Sequence, residues 1–112
     1  MAQPILGFSN EILAGATATG AGLVYQTQGK PSTFQAYGST SSGAGSAIIQ
    51  IQVSNDSSLN ANTWLVLGTI TLTLGTTITT DGFASIAPWQ FIRANVTTLS
   101  GTGASVDVWM GV

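Results

Sequence analysis

The sequence predicts an all-β protein, a β-sandwich or jelly roll of about eight antiparallel strands, on three observations. Fourteen Gly, with abundant Thr and Ser, punctuate short apolar runs. No stretch sustains a helical period, and the clearest runs alternate apolar and polar residues with a period of two. Turn signals recur about every 8–12 residues, the spacing of sandwiches rather than of helical or α/β folds. At 112 residues and 11.4 kDa the chain reads as one domain, 1–112, able to bury a sufficient core without disulfides or metal.

Three early segments read as strands: Glu11 to Ala14, Leu23 to Thr27 and Thr33 to Tyr37. Gly15 to Gly22, Gly29-Lys30-Pro31 and Gly38 to Gly45 separate them. Residues 1–21 read either as an N-terminal arm, with Ile5, Leu6 and Phe8 inserting into a neighbour, or as an edge strand of the same domain. Pro4 and Gly7 keep an arm from becoming an ordinary strand. From Ala47, the residues Ala47, Ile49, Ile51 and Val53 take the buried face and Ile48, Gln50, Gln52 and Ser54 the other, most of them exposed. Ser54-Asn55-Asp56-Ser57-Ser58 is a turn, in which Asn and Asp side chains bond their own backbone.

The next strand points Trp64, Val66, Ile70, Leu72 and Leu74 inward and Thr69, Thr71 and Thr73 outward, which makes Trp64 a core residue. Gly68 falls on the inward register and marks a bulge or bend. Asp81-Gly82 reads as a turn between strand-like flanks. Two cleanly alternating segments follow, 90–96 and 104–112. With Leu99-Ser100-Gly101 as the turn of an antiparallel hairpin, Arg93 falls opposite Asp107, Phe91 opposite Trp109 and Ile92 opposite Val108. One register satisfies all three pairs, and a slip of one residue inverts every face.

Charge is the second strong signal. Lys30 and Arg93 are the only cations, and Glu11, Asp56, Asp81 and Asp107 the only carboxylate side chains; there is no His and no Cys. Soluble surfaces usually carry roughly 25–35% charged residues, whereas this chain has 5%. Its exterior is best explained if other protein covers much of it, so the chain reads as a component of an assembly. The lack of clustered Lys and Arg, with a net charge of −2, argues against nucleic acid as a partner. Without Cys or His there is no thiolate zinc site, no Cys nucleophile and no imidazole base. No cation precedes Lys30, so an export signal is not expected, and no apolar run approaches the ~18 residues of a membrane span.

Specific chemistry is weakly signalled. Gly43-Ala44-Gly45, Gly101-Thr102-Gly103 and the Gly-rich run 15–22 lack the Lys-Ser/Thr or βαβ context of a phosphate loop. Asp56 and Asp81 as a glycosidic acid pair compete with ordinary turn roles. Asn55, Asp56, Asn60 and Asn62 offer oxygens to a hard cation, but with a single carboxylate. The expectation is therefore a non-enzyme with no metal and no cofactor. Trp109 lies with Phe91 on the polar face of its strand, to be covered by another chain or to form an exposed platform, and Trp89 enters a strand after Pro88.

Five phrases, Val53-Ser54-Asn55-Asp56, 64–68 (Trp-Leu-Val-Leu-Gly), Thr80-Asp81-Gly82-Phe83, 87–96 (Ala-Pro-Trp-Gln-Phe-Ile-Arg-Ala-Asn-Val) and 101–106 (Gly-Thr-Gly-Ala-Ser-Val), resemble small bacteriophage virion proteins of β-sandwich fold. The likeness is to capsid cement or decoration proteins and covers about half the chain. It implies a virion location on the capsid surface after assembly in the host cytoplasm, the major capsid protein and copies of the chain itself as partners, and a homo-oligomer, a trimer in such proteins. It implies no catalytic residue. The candidate interface residues are then Ile5, Leu6, Phe8, Phe91, Arg93, Asp107 and Trp109. A tail-borne receptor- or carbohydrate-binding module, using Trp109, Phe91, Asn60 or Asn62, is the alternative.

Overall fold

A computed structural model of the chain describes residues 9–27, 31–86 and 89–111. They form two antiparallel sheets packed face to face, the predicted β-sandwich. The strands are β1 (Ser9–Ala16), β2 (Gly20–Ala21), β3 (Tyr25–Gln26), β4 (Ser32–Ser39), β5 (Ser42–Ser54), β6 (Leu65–Leu74), β7 (Thr79–Ser85), β8 (Phe91–Thr102) and β9 (Ser105–Gly111). One sheet has the order β1-β9-β4-β7. The other runs β2-β8-β5-β6, with β3 also pairing β8 beside β2. Ser9–Ala16 is thus an edge strand of the domain, while Ile5, Leu6 and Phe8 lie outside the described residues.

The core is the meeting of two alternating faces. Phe34 and Ala36 of β4 with Val106, Val108 and Met110 of β9 face Ala47, Ile49, Ile51 and Val53 of β5, Ile70, Leu72 and Leu74 of β6, and Ile92, Ala94 and Val96 of β8. Every one of these is buried. Gly38 continues the β4 stripe because space is lacking: a Cβ there would lie 2.6 Å from the Ser105 carbonyl oxygen. Ile12 enters the core at an irregularity of β1, where the pairing to β9 shifts between Glu11 and Leu13.

The hairpin expected from 90–96 and 104–112 does not form. β8 continues through Thr102 in one sheet, and β9 begins at Ser105 in the other. The corner between them is Gly101 (φ 116°) and Gly103 (φ 64°), left-handed backbone that favours Gly, closed by Ala104 N–H donating to the Gly101 carbonyl at 3.3 Å. The predicted inward residues Ile92 and Val108 are both inward, but they face each other's sheets across the core instead of sharing a ladder. β8 pairs β5, with Gln52 opposite Arg93, and β9 pairs β4, with Tyr37 opposite Asp107.

Two further corrections concern β6 and β7. The Gly68 irregularity is present: Ile51 pairs Gly68 but Gln52 pairs Val66, so Leu67 is the extra residue. That insertion turns Val66 outward, where it is half exposed, and Trp64 precedes the strand rather than entering the core. Asp81-Gly82 is no turn; both residues lie within β7, opposite Ala36 and Gln35. Gly is needed at 82 because a Cβ would sit 2.2 Å from the Phe34 carbonyl oxygen on β4. The actual turn before β7 is 75–78.

Candidate interaction faces

Because the chain crosses between sheets after β8, the four described candidate interface residues separate into two pairs on opposite exteriors. Phe91 and Arg93 project from the outer face of the β8-β5-β6 sheet. Asp107 and Trp109 project from the outer face of the β9-β4 sheet. The sequence-derived ion pair between Arg93 and Asp107 is therefore absent, and each group has found another partner.

Arg93 is built into a row of side chains spanning three segments. Its guanidinium carbon lies 4.4 Å from the centroid of the Trp64 ring, within the range of a cation–π contact. Its Nε donates to Gln52 Oε1 at 2.7 Å across the β5–β8 ladder, and Gln52 Nε2 reaches Gln50 Oε1 at 3.4 Å. Trp64 is held there by the loop between β5 and β6. A 3₁₀ turn, Ala61–Thr63, is capped by Asn60 Oδ1, which accepts from the Asn62 N–H at 2.9 Å. The Thr63 hydroxyl donates to the Asn60 carbonyl at 2.7 Å. Phe91, Asn95 and Ile48 flank the row, all half-buried. The result is an exterior patch of aromatic rings and amides with one cation stacked on the Trp64 ring.

On the opposite exterior, two cross-strand rows carry the aromatics. Glu11 of β1, Trp109 of β9 and Gln35 of β4 form the first; Asp107 of β9, Tyr37 of β4 and Thr80 of β7 form the second. Trp109 Nε1 donates to the Tyr37 hydroxyl at 3.2 Å, tying the rows together. Gln35 Nε2 donates to Thr80 Oγ1 at 3.0 Å, and that hydroxyl donates onward to the Ala36 carbonyl at 2.9 Å. Asp107 binds backbone instead: its Oδ1 accepts from the Gly15 N–H at 2.8 Å. Gly15, at φ 55°, sits in the second irregular stretch of β1, so Asp107 pins an edge strand that the ladder alone holds loosely.

The oxygen-rich loop 55–63 spends its oxygens on itself. Asp56 Oδ1 accepts from both the N–H and the hydroxyl of Ser58, at 2.9 and 2.7 Å, and Oδ2 from the Asn60 N–H at 3.4 Å. Those bonds, the Ser58 hydroxyl first, hold the Asp56 carboxyl below its ordinary pKa. Asn55 Oδ1 accepts from the Gln90 N–H at 3.0 Å, tying the loop to the start of β8. Among the described residues no three or more His, Cys, Asp or Glu gather as a metal site, and no helix is long and apolar enough to cross a membrane. Asp81, the other acid considered for hydrolysis, lies in β7 with its Oδ1 accepting from the adjacent Gly82 N–H at 2.8 Å.

Sequence reasoning missed Trp64, Gln52 and Tyr37 as members of these faces. Gln52 is legible as an outward position and Tyr37 only as the end of a strand, and their partners follow from strand order, which the alternation does not encode. No family model, curated protein or solved structure matches the chain.

Proposed function

We propose that the chain is a non-enzymatic structural component of a bacteriophage particle, of the capsid cement or decoration type, that stabilises the shell by bridging major capsid subunits and contacting copies of itself. The observation that carries the reading is the pairing of a 5% charged composition with two broad exteriors built mainly of aromatic and amide groups, with Arg93 on one and Glu11 and Asp107 on the other. Interface centres are depleted of charge and enriched in Trp, Tyr, Phe and Arg. The residues for contact are Phe91, Arg93 and Trp64 on one exterior and Trp109 and Tyr37 on the other, with Asp107 supporting β1 behind them. The resemblance of the 53–106 phrases to phage cement proteins supplies the virion context.

The opposed placement of the aromatics makes the test directional. Phe91→Ala and Trp109→Ala remove one anchor from each exterior without touching the core, so both variants keep the wild-type circular dichroism. Particles prepared with each variant are then assayed for retained copies under dilution and heat. Loss of retention by at least one variant is the expected outcome. Normal decoration by both, with only the melting temperature lowered, contradicts the assignment.

A second reading is favoured by one observation, the exterior row of Trp64, Arg93, Gln52 and Gln50. Aromatic faces beside paired amides suit a sugar ring, as a receptor- or carbohydrate-binding module at a tail would need. Copy number separates the readings: hundreds of copies over the shell mean cement, and a few at one vertex, with sugar binding by the isolated chain, mean tail.

A further inference from the structure

We infer that β6 is a strand-addition edge whose occupant is β6 of a second copy, the two chains pairing antiparallel about a two-fold axis into one continuous sheet. This deepens the assembly reading by naming a self-interface, and rests on it only in expecting contacts between copies.

The four lateral edges of the sandwich differ. β1 carries Glu11 and two irregularities in its pairing, both devices that blunt an edge. β7 places Asp81 opposite the buried Ala36, an inward-register acid that opposes pairing with another apolar strand. The third edge consists of β2 and β3, two residues each and too short to template a partner, and of 97–102 of β8, whose pairing to β5 is broken by register shifts and by Gly101 at φ 116°. β6 is ten residues long with no charged residue and no proline. It pairs β5 on one side and ends its sheet on the other. Its interruptions are the extra residue Leu67 and the Thr79 hydroxyl donating to the Thr73 carbonyl at 3.0 Å.

A row of backbone N–H and C=O groups at a sheet edge is matched by another β-strand, which fixes the class of occupant. The pattern of β6 then selects itself. Thr69, Thr71 and Thr73 are exposed on the outer face, and Ile70, Leu72 and Leu74 are buried on the inner. Antiparallel pairing centred on Thr71 sets Thr69 opposite Thr73 and Ile70 opposite Leu72. Thr meets Thr outside, apolar meets apolar inside, and no like charges oppose. The same register brings Leu65 and Val66, 54% and 50% exposed, alongside the 75–78 turn of the partner, where Ile78 is 63% exposed. Apolar groups that water now touches at both ends of β6 are thereby covered.

The test is sedimentation of the purified full chain across the micromolar range. The wild type is expected as a dimer. The variant Thr69→Lys/Thr71→Lys/Thr73→Lys, altered only at exposed positions, is expected to keep its circular dichroism and dimerise on the order of 10- to 100-fold more weakly, because like charges then face across the pair. The matching triple Glu variant is expected to behave likewise, and an equal mixture of the two to recover a dimer. Because the chain has no Cys, Thr71→Cys gives a register test free of competing thiols: mild oxidation is expected to yield a covalent dimer, Cys facing Cys at the two-fold. A monomeric or trimeric wild type, a Lys variant that dimerises normally, or a Lys–Glu mixture that stays monomeric overturns the inference. Wild-type dimers that attach to no particle leave it standing and remove the capsid reading.

Discussion

At the residue scale the most consequential contact is Arg93 on Trp64, because it replaces the ion pair that the sequence suggested with Asp107. A guanidinium on an indole at a half-exposed site contributes about 0.5–1 kcal/mol. A double-mutant cycle of Arg93→Ala and Trp64→Ala, read by urea unfolding, is therefore expected to show a coupling of about 0.5–1 kcal/mol. The cycle of Arg93→Ala with Asp107→Ala is expected to show none, since these residues sit on opposite exteriors. Asp56 gives a second residue-scale expectation. Its folded pKa is depressed below the ordinary 3.8, so its contribution to stability is complete above that value and is lost as pH falls through the folded value. Melting temperatures measured from pH 6 down to pH 2 are expected to fall more steeply for the wild type than for Asp56→Asn below about pH 4. Parallel curves would contradict this.

At the element scale, Gly68 and Gly82 each leave room that a Cβ would take, one for an aromatic ring and one for a neighbouring backbone. A Cβ at Gly68 would lie 2.5 Å from the Phe83 ring, which itself packs 5.2 Å from Phe34; this is where the edges β6 and β7 meet. At Gly82 the obstacle is the backbone of β4. Gly82→Ala is expected to cost about 1–3 kcal/mol and to lower hydrogen-exchange protection in β7 specifically. Gly75→Ala, with nothing within 4 Å of the new methyl, serves as the neutral control. Unchanged protection in the Gly82 variant would mean that β4 and β7 are more loosely paired than their close approach implies.

How far these elements were legible follows from what alternation encodes. β5 and β8 were readable because Ile49, Ile51, Ile92 and Ala94 mark the inward face regardless of neighbours. Strand pairing was not readable, because two strands that face each other across a core show the same in-and-out pattern as two joined in a ladder. That degeneracy produced the hairpin between 90–96 and 104–112. Alternation points Trp64 inward, but Leu67 adds one residue and reverses the phase before it. Asp81-Gly82 carried a turn signature, but its Gly answers a close approach of β4 rather than a reversal of the chain.

For the whole molecule, the separation of aromatics onto two exteriors matters more than any single contact. A sandwich with Phe91, Trp64 and Arg93 on one side and Trp109 and Tyr37 on the other, with few charges between, presents two separate faces to neighbours, which the proposed cement role requires. The same scarcity of charge leaves β6 without the devices that guard the other edges. Isolated chains are therefore expected to self-associate at high concentration through this segment, whose β propensity is high and whose charge is zero. Light scattering of wild type against the triple Lys variant checks this, and equal scattering from both would place the association elsewhere.

The most direct test of the central claim, that other protein covers these exteriors, is a density map of whole particles at subunit resolution. The account predicts the chain on the shell in hundreds of copies, with at least one of its two aromatic faces buried against a capsid subunit. Particles lacking the chain, or carrying it with both faces open to solvent, would contradict it.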